Sequence, residues 1–198
     1  MKLVILDRDG VLNPDCEEFI ASPDEWHALP GALEAVARLN HAGFHVVLAT
    51  DQSGLGRGLF DVASLNAIHG KLHKQLATFG GRVDAVFYCP HSPEESCDCR
   101  MPHPGLFLQI GDRLGMELTG VAACGNRPAF LQAAAAAGCD PHLVLTGHIA
   151  ELDLADLREI FPAGTRIHPD LAAFAESLLS HQVLSPAPSP SPTAAPAA

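Results

Sequence analysis

After Met1 the chain reads Lys2-Leu3-Val4-Ile5-Leu6, an apolar run that stops abruptly at Asp7. An apolar run without alternation predicts a strand covered on both faces. The same signature returns at His45–Thr50 (HVVLAT), Val83–Cys89 (VDAVFYC), Gly120–Cys124 (GVAAC) and His142–Thr146 (HLVLT), the last clear strand. Between the strands the apolar spacing becomes helical. Pro30-Gly31 opens a helix carrying Leu33, Val36, Ala37 and Leu39, with Gly43 beyond its end. Leu65, Ile68, Leu72 and Leu76 mark a second helix. Pro104 starts a third, with Leu106, Ile110 and Leu114, and Ala129–Ala137 forms a fourth before Gly138. Weaker helical patterns run near Leu152–Ile160 and Asp170–His181.

Strands that alternate with helices predict an α/β fold, a Rossmann-like parallel sheet with helices on both faces. In such sheets ligands sit beyond the carboxyl ends of the strands. The polar residues that interrupt the apolar pattern fall there. Asp7 and Asp9 follow the first strand, Thr50 to Ser53 the second, Cys89 to Arg100 the third, and Gly125 with Asn126 the fourth. Four loops should therefore converge on one crevice.

Composition adds boundaries. Of the 198 residues, 47% are hydrophobic, enough for one domain with a sizeable core. That domain is expected over 1–182. The remainder, 183–198, contains SPAPSPSPTAAPAA and predicts a disordered Pro/Ala/Ser-rich tail. A net charge of −11 disfavours a nucleic-acid partner and an anionic membrane surface. No apolar run approaches the roughly 20 residues of a bilayer span, and no signal peptide precedes the first strand. A cytoplasmic monomer is the expectation.

Three segments carry chemistry. In DRDG, two carboxylates at a strand end can hold a hard cation such as Mg²⁺. One can attack phosphorus and the other can move a proton. Two solvated loop aspartates are the plainer alternative. In TDQSGLGRG (Thr50–Gly58), a hydroxyl and closely approaching backbone amides can hold phosphoryl oxygens, although glycine-rich strand–helix connections are also ordinary. CPHSPEESCDC (Cys89–Cys99) offers Cys89, His91, Cys97 and Cys99 in the pattern C-x-H-x5-C-x-C. Three thiolates and an imidazole suit tetrahedral Zn²⁺ in a closed, structural site, with free cysteines as the alternative. Cys16, Cys124 and Cys139 read as structural.

LDRDGVLN, TDQSGLGRG, CPHSPEESCDCRMPHPG and CGNRPAFLQAAAAAG together resemble the haloacid dehalogenase superfamily of phosphatases. Within it they resemble the D-glycero-D-manno-heptose 1,7-bisphosphate 7-phosphatase family, over about Lys2 to Thr146. The histidinol-phosphate phosphatase domain shares much of this pattern. The resemblance implies a fold without a large cap domain. It implies a catalytic Mg²⁺ held by Asp7, Asp9 and the residue at Asn126, a zinc-binding loop and a phosphorylated sugar substrate. Asp7 would be the nucleophile, and Asp9 the general acid and then base. Thr50, Asp51, Gln52 and Ser53 would surround the phosphoryl group, with Arg127 nearby. Arg100 would read the distal phosphate, and Asp15, Cys16, Glu17 and Glu18 would lie in the loop that contacts substrate.

The chain departs from that pattern at four places. Met101 stands where the family has lysine, Asn126 where it has the metal-binding aspartate, Phe130 at another acidic position, and Asp51 where it has asparagine. The changes at 51, 101 and 126 leave the pocket one unit more negative. A phosphatase activity that is reduced, altered or lost follows from this reading. The rival is a non-catalytic protein that binds a sugar phosphate or a partner. A purely structural zinc protein would leave the convergence of Asp7, Asp9, Thr50 and Arg100 unexplained.

Overall fold

The computed structural model describes residues 1–15, 19–147, 149 and 159–183. Cys16, Glu17, Glu18, most of the expected helix near Leu152–Ile160, and the tail beyond Val183 lie outside the described residues. In chain order the elements are β1 (Lys2–Leu6), α1 (Ala32–His41), β2 (Phe44–Asp51), α2 (Ser53–Gly56), α3 (Val62–Thr78) and β3 (Ala85–Cys89). They continue with α4 (Gly105–Leu114), β4 (Ala122–Gly125), α5 (Pro128–Ala136), β5 (Asp140–Val144), β6 (Arg166–His168) and α6 (Leu171–Val183).

The sheet runs β3-β2-β1-β4-β5-β6, and every neighbouring pair is parallel. Its order reverses at β1, where the chain moves first to β2 and later to β4. Ligand sites of parallel α/β sheets form at such a switch, beyond the carboxyl ends of the strands, and Asp7 and Asn126 lie there, after β1 and β4.

The apolar runs are continuous because both faces of the sheet are covered. Val4, Leu6, Val46 and Leu48 point into one layer, packed under α1, α3 and α6. Leu3, Ile5, Val47 and Ala49 alternate into the other, under α4 and α5. Local signals set the helix starts. Asp61 caps α3 by accepting from the Ser64 amide at 2.7 Å. Pro128 opens α5, where its missing N–H costs nothing.

Two features differ from the sequence expectation. β6 was not anticipated: it is a three-residue edge strand, Arg-Ile-His, too short and too polar to register as an apolar run. β5 also starts earlier, at Asp140, and releases Leu145 and Thr146 into the loop above the crevice. No inserted cap domain occurs among the described residues.

Candidate active site and metal-binding loop

Asp7 follows β1 directly and is fully buried; its amide donates to the Cys124 carbonyl of β4 at 2.9 Å. Its Oδ1 accepts from the Arg8 amide at 2.8 Å. Its Oδ2 accepts from Arg127 Nη2 at 2.7 Å. Burial pushes the Asp7 carboxyl above the ordinary carboxylate range, and the Arg127 guanidinium works against that shift. The pair is what an anionic nucleophile in a buried place requires.

Asp9 sits two residues on, 23% exposed. Arg8 grips its carboxylate with a fork, Nε to Oδ1 at 3.0 Å and Nη2 to Oδ2 at 2.9 Å. Asn13 Nδ2 adds a bond to Oδ1 at 2.9 Å, and Gln52 Nε2 one to Oδ2 at 3.1 Å. Gln52 Nε2 also lies 3.1 Å from Thr50 Oγ1, which links Asp9 to the end of β2. Trp26, fully buried, fixes Asn13 by donating to its Oδ1 at 3.0 Å.

Asn126 presses against Gly10. That residue has φ +80, and a side chain there would collide with the Asn126 amide, so only glycine serves. Asn126 Nδ2 donates to Asp15 Oδ2 at 3.0 Å and to the Thr146 carbonyl at 3.3 Å. Two acceptors on one side fix the orientation of the amide. Its Oδ1 is left buried without a hydrogen-bond partner. A lone buried carbonyl oxygen fits a hard divalent cation, which takes oxygen ligands.

Asp51 ends β2, and its Oδ1 lies 3.5 Å from the Met101 amide. Burial raises its carboxyl to about 6, with Arg127 opposing and Asp7 reinforcing the shift. Met101 is buried in the second apolar layer, as is Phe130, whose ring meets Phe107 edge-on at 5.2 Å. The positions where the resemblance expects charge have thus joined the core.

The thiol-rich loop gathers as its spacing suggests. The ligand atoms of Cys89, His91, Cys97 and Cys99 all lie within 4.8 Å of one another. Cys89 Sγ is 3.8 Å from Cys97 Sγ and 3.2 Å from Cys99 Sγ. His91 Nδ1 is 3.5 Å from Cys89 Sγ and 3.3 Å from Cys99 Sγ. A tetrahedron with metal–sulfur bonds of about 2.3 Å has edges near 3.8 Å, so the cluster is of the size a tetrahedral metal takes.

Asp7, Asp9, Thr50, Gln52 and Arg127 therefore converge, with Asn126 and Asp15 alongside. Ser53 opens α2 beside them. Arg100 is placed differently. Its Nη atoms donate to the Ser92, Pro93 and Glu95 carbonyls of the thiol loop, and its Nε is buried without a partner. Sequence reading missed Arg8, Asn13 and His69. Asn13 closes the DGVLN segment, and His69 falls four residues after Leu65 on the apolar face of α3; those positions were the available signals.

The parallel sheet, the aspartates after β1 and the crevice at the switch point define a haloacid dehalogenase-like phosphatase. Comparison with known proteins narrows the class. The D-glycero-beta-D-manno-heptose-1,7-bisphosphate 7-phosphatase of Bordetella bronchiseptica is 57% identical over 179 residues, covering 90% of this chain and 98% of that protein. The protein of the same name from Pseudomonas aeruginosa is 46% identical over 177 residues, covering 89% and 97%. The solved structure of D,D-heptose 1.7-bisphosphate phosphatase from B. bronchiseptica, complexed with magnesium and phosphate, matches with a TM-score of 0.87 at 55% identity, covering 91% and 99%. That of the Burkholderia thailandensis enzyme matches with a TM-score of 0.70 at 49% identity, again covering 91% and 99%. No protein-family model matches the chain. The chain belongs to the D-glycero-beta-D-manno-heptose-1,7-bisphosphate 7-phosphatase family.

Proposed function

We propose that this phosphatase removes the C7 phosphate of D-glycero-beta-D-manno-heptose 1,7-bisphosphate, in the cytoplasm and as a monomer, through an aspartyl-phosphate on Asp7. The observation that carries the reading is the buried Asp7 carboxylate paired with Arg127 at 2.7 Å, at the carboxyl end of the central strand. Asp7 attacks phosphorus and the C7–O–P bond breaks on the far side. Asp9 gives its proton to the leaving sugar oxygen, then takes one from the water that hydrolyses the acyl-phosphate. Thr50 and Arg127 face the phosphoryl oxygens, where charge builds in the transition state. Arg100 reads the distal phosphate of the sugar. The sequence segment from Asp15 through Cys16 and Glu17 to Glu18 belongs to the loop assigned to substrate contact.

Asp7, the Asp9 backbone carbonyl and Asn126 Oδ1 would hold Mg²⁺, which neutralises phosphoryl charge when bound. Cys89, His91, Cys97 and Cys99 would hold structural Zn²⁺ and so fix the loop that carries Arg100.

A second reading is a protein that binds the sugar phosphate without turning it over. It rests on Met101 and Phe130, buried in the apolar layer where the family pattern has charge. Phosphate release from the heptose bisphosphate, with and without Mg²⁺, separates the two, with Asp7→Asn as the blank. Turnover that needs Mg²⁺ and Asp7 establishes the phosphatase. A rate equal to the blank, in protein that still binds the bisphosphate, establishes the second reading. Histidinol phosphate in the same assay tests the related substrate class.

A further inference from the structure

Arg8 is an anomaly. It stands between the two aspartates, yet its side chain is 1% exposed, and arginine is rarely buried so completely. Its Nε and Nη2 hold Asp9, and Nη2 also lies 3.2 Å from Gln52 Oε1. The remaining Nη1 lies 3.3 Å from Nε2 of His69, in the middle of α3. A guanidinium can only donate, so His69 Nε2 must be the unprotonated acceptor and the ring proton sits on Nδ1. Burial, with Arg8 beside it, pushes His69 down to about 4, in keeping with a neutral ring.

The contacts form one chain: His69, Arg8, Asp9 with Gln52, then Thr50. Each member is buried except Asp9, which is 23% exposed toward the crevice. Resting on the phosphatase reading, we infer that His69 is a positioning residue. By accepting from Arg8 it sets the guanidinium fork, and the fork with Gln52 sets the Asp9 carboxylate beside Thr50. His69 touches no reacting atom; it acts through Arg8. A proton donor displaced by about 1 Å can cost up to ~10²-fold in rate.

The test replaces the acceptor and then restores it. His69→Leu removes it at similar volume, and His69→Met repeats the deletion with an unbranched side chain. His69→Gln keeps an acceptor oxygen. With the heptose bisphosphate and Mg²⁺, the Leu and Met variants should lose about tenfold or more in kcat while KM stays within about twofold, because the interaction acts on the chemical step. His69→Gln should recover most of that loss. Crystal structures should show Asp9 moved away from Gln52 in the Leu or Met variant and in place in the Gln variant. Equal losses in all three variants, a loss carried by KM, or an unmoved Asp9 in the Leu and Met variants would overturn the inference. A wild type no faster than Asp7→Asn would sink the phosphatase reading separately. The variant structures would still decide whether His69 places Asp9.

Discussion

At the scale of single residues, the site is a problem of balancing charge. Asp7, Asp9 and Asp51 crowd together, and Arg127 is the cation that reaches Asp7. Removing it should hurt the transition state most. Arg127→Gln is expected to lower kcat by roughly 10²-fold, the usual scale for losing one preorganised charge-stabilising group, as steady-state phosphate release would show. Asp51 makes the opposite prediction for stability. Its carboxyl titrates near 3.8 as a reference group and near 6 in the fold, so the folded state holds the proton longer. The stability cost of its charge is absent below the reference value of 3.8, builds as pH rises toward 6, and is complete above it. Asp51→Asn should therefore raise stability by about 2 kcal/mol at pH 8 and leave it nearly unchanged at pH 4. Thermal melts at the two pH values test this.

At the scale of elements, the turn from β4 into α5 shows how packing constrains the site. Gly125 lies flat against the Phe130 ring, and a Cβ at Gly125 would enter that ring. Gly125→Ala should destabilise by about 1–3 kcal/mol through overpacking, and should loosen Asn126 next to it, read as a lower melting temperature. The thiol loop should behave as a metal-dependent element. Chelation, or Cys99→Ser, should remove bound zinc and expose residues 92–96 to limited proteolysis, with metal analysis on the same samples. The elements were legible in the sequence to different degrees. Five strands announced themselves because a sheet covered on both faces demands continuous apolar runs. The thiol loop was legible because its three cysteines and one histidine fall within one short stretch, Cys89 to Cys99. β6 was not, because one isoleucine in three residues makes no pattern. Arg8 and His69 were hidden for a different reason. Their pairing joins the loop after β1 to α3 across 61 residues, and nothing local in the sequence encodes that. The hold of Arg100 on loop carbonyls was equally invisible, since it depends on the path of the loop.

At the scale of the whole molecule, two apolar layers flank one sheet. Two buried imidazoles sit at the far side: His142 Nδ1 lies 2.9 Å from His168 Nε2 against Phe174. Burial lowers His168, as it lowers His69 to about 4. Unfolded histidine titrates near 6.5, so below that pH the unfolded chain binds more protons than the folded one. The contribution of His69 is fully present above pH 6.5 and is lost as pH falls toward 4, and that of His168 is lost in the same direction. An acid limb should therefore appear in melting temperature between those values, and His69→Gln should flatten it. The layer under α4 and α5 has another consequence, which concerns what position 130 can accept. Phe130 fills the space beneath β4 with no exposure at all. An acid there would leave much of a phenyl ring's volume empty and strand a carboxylate against Phe107, at a cost of roughly 3–5 kcal/mol. The ring is a keystone: Gly125 rests on it, so one apolar side chain settles whether the turn that carries Asn126 stands on a filled layer or over a void.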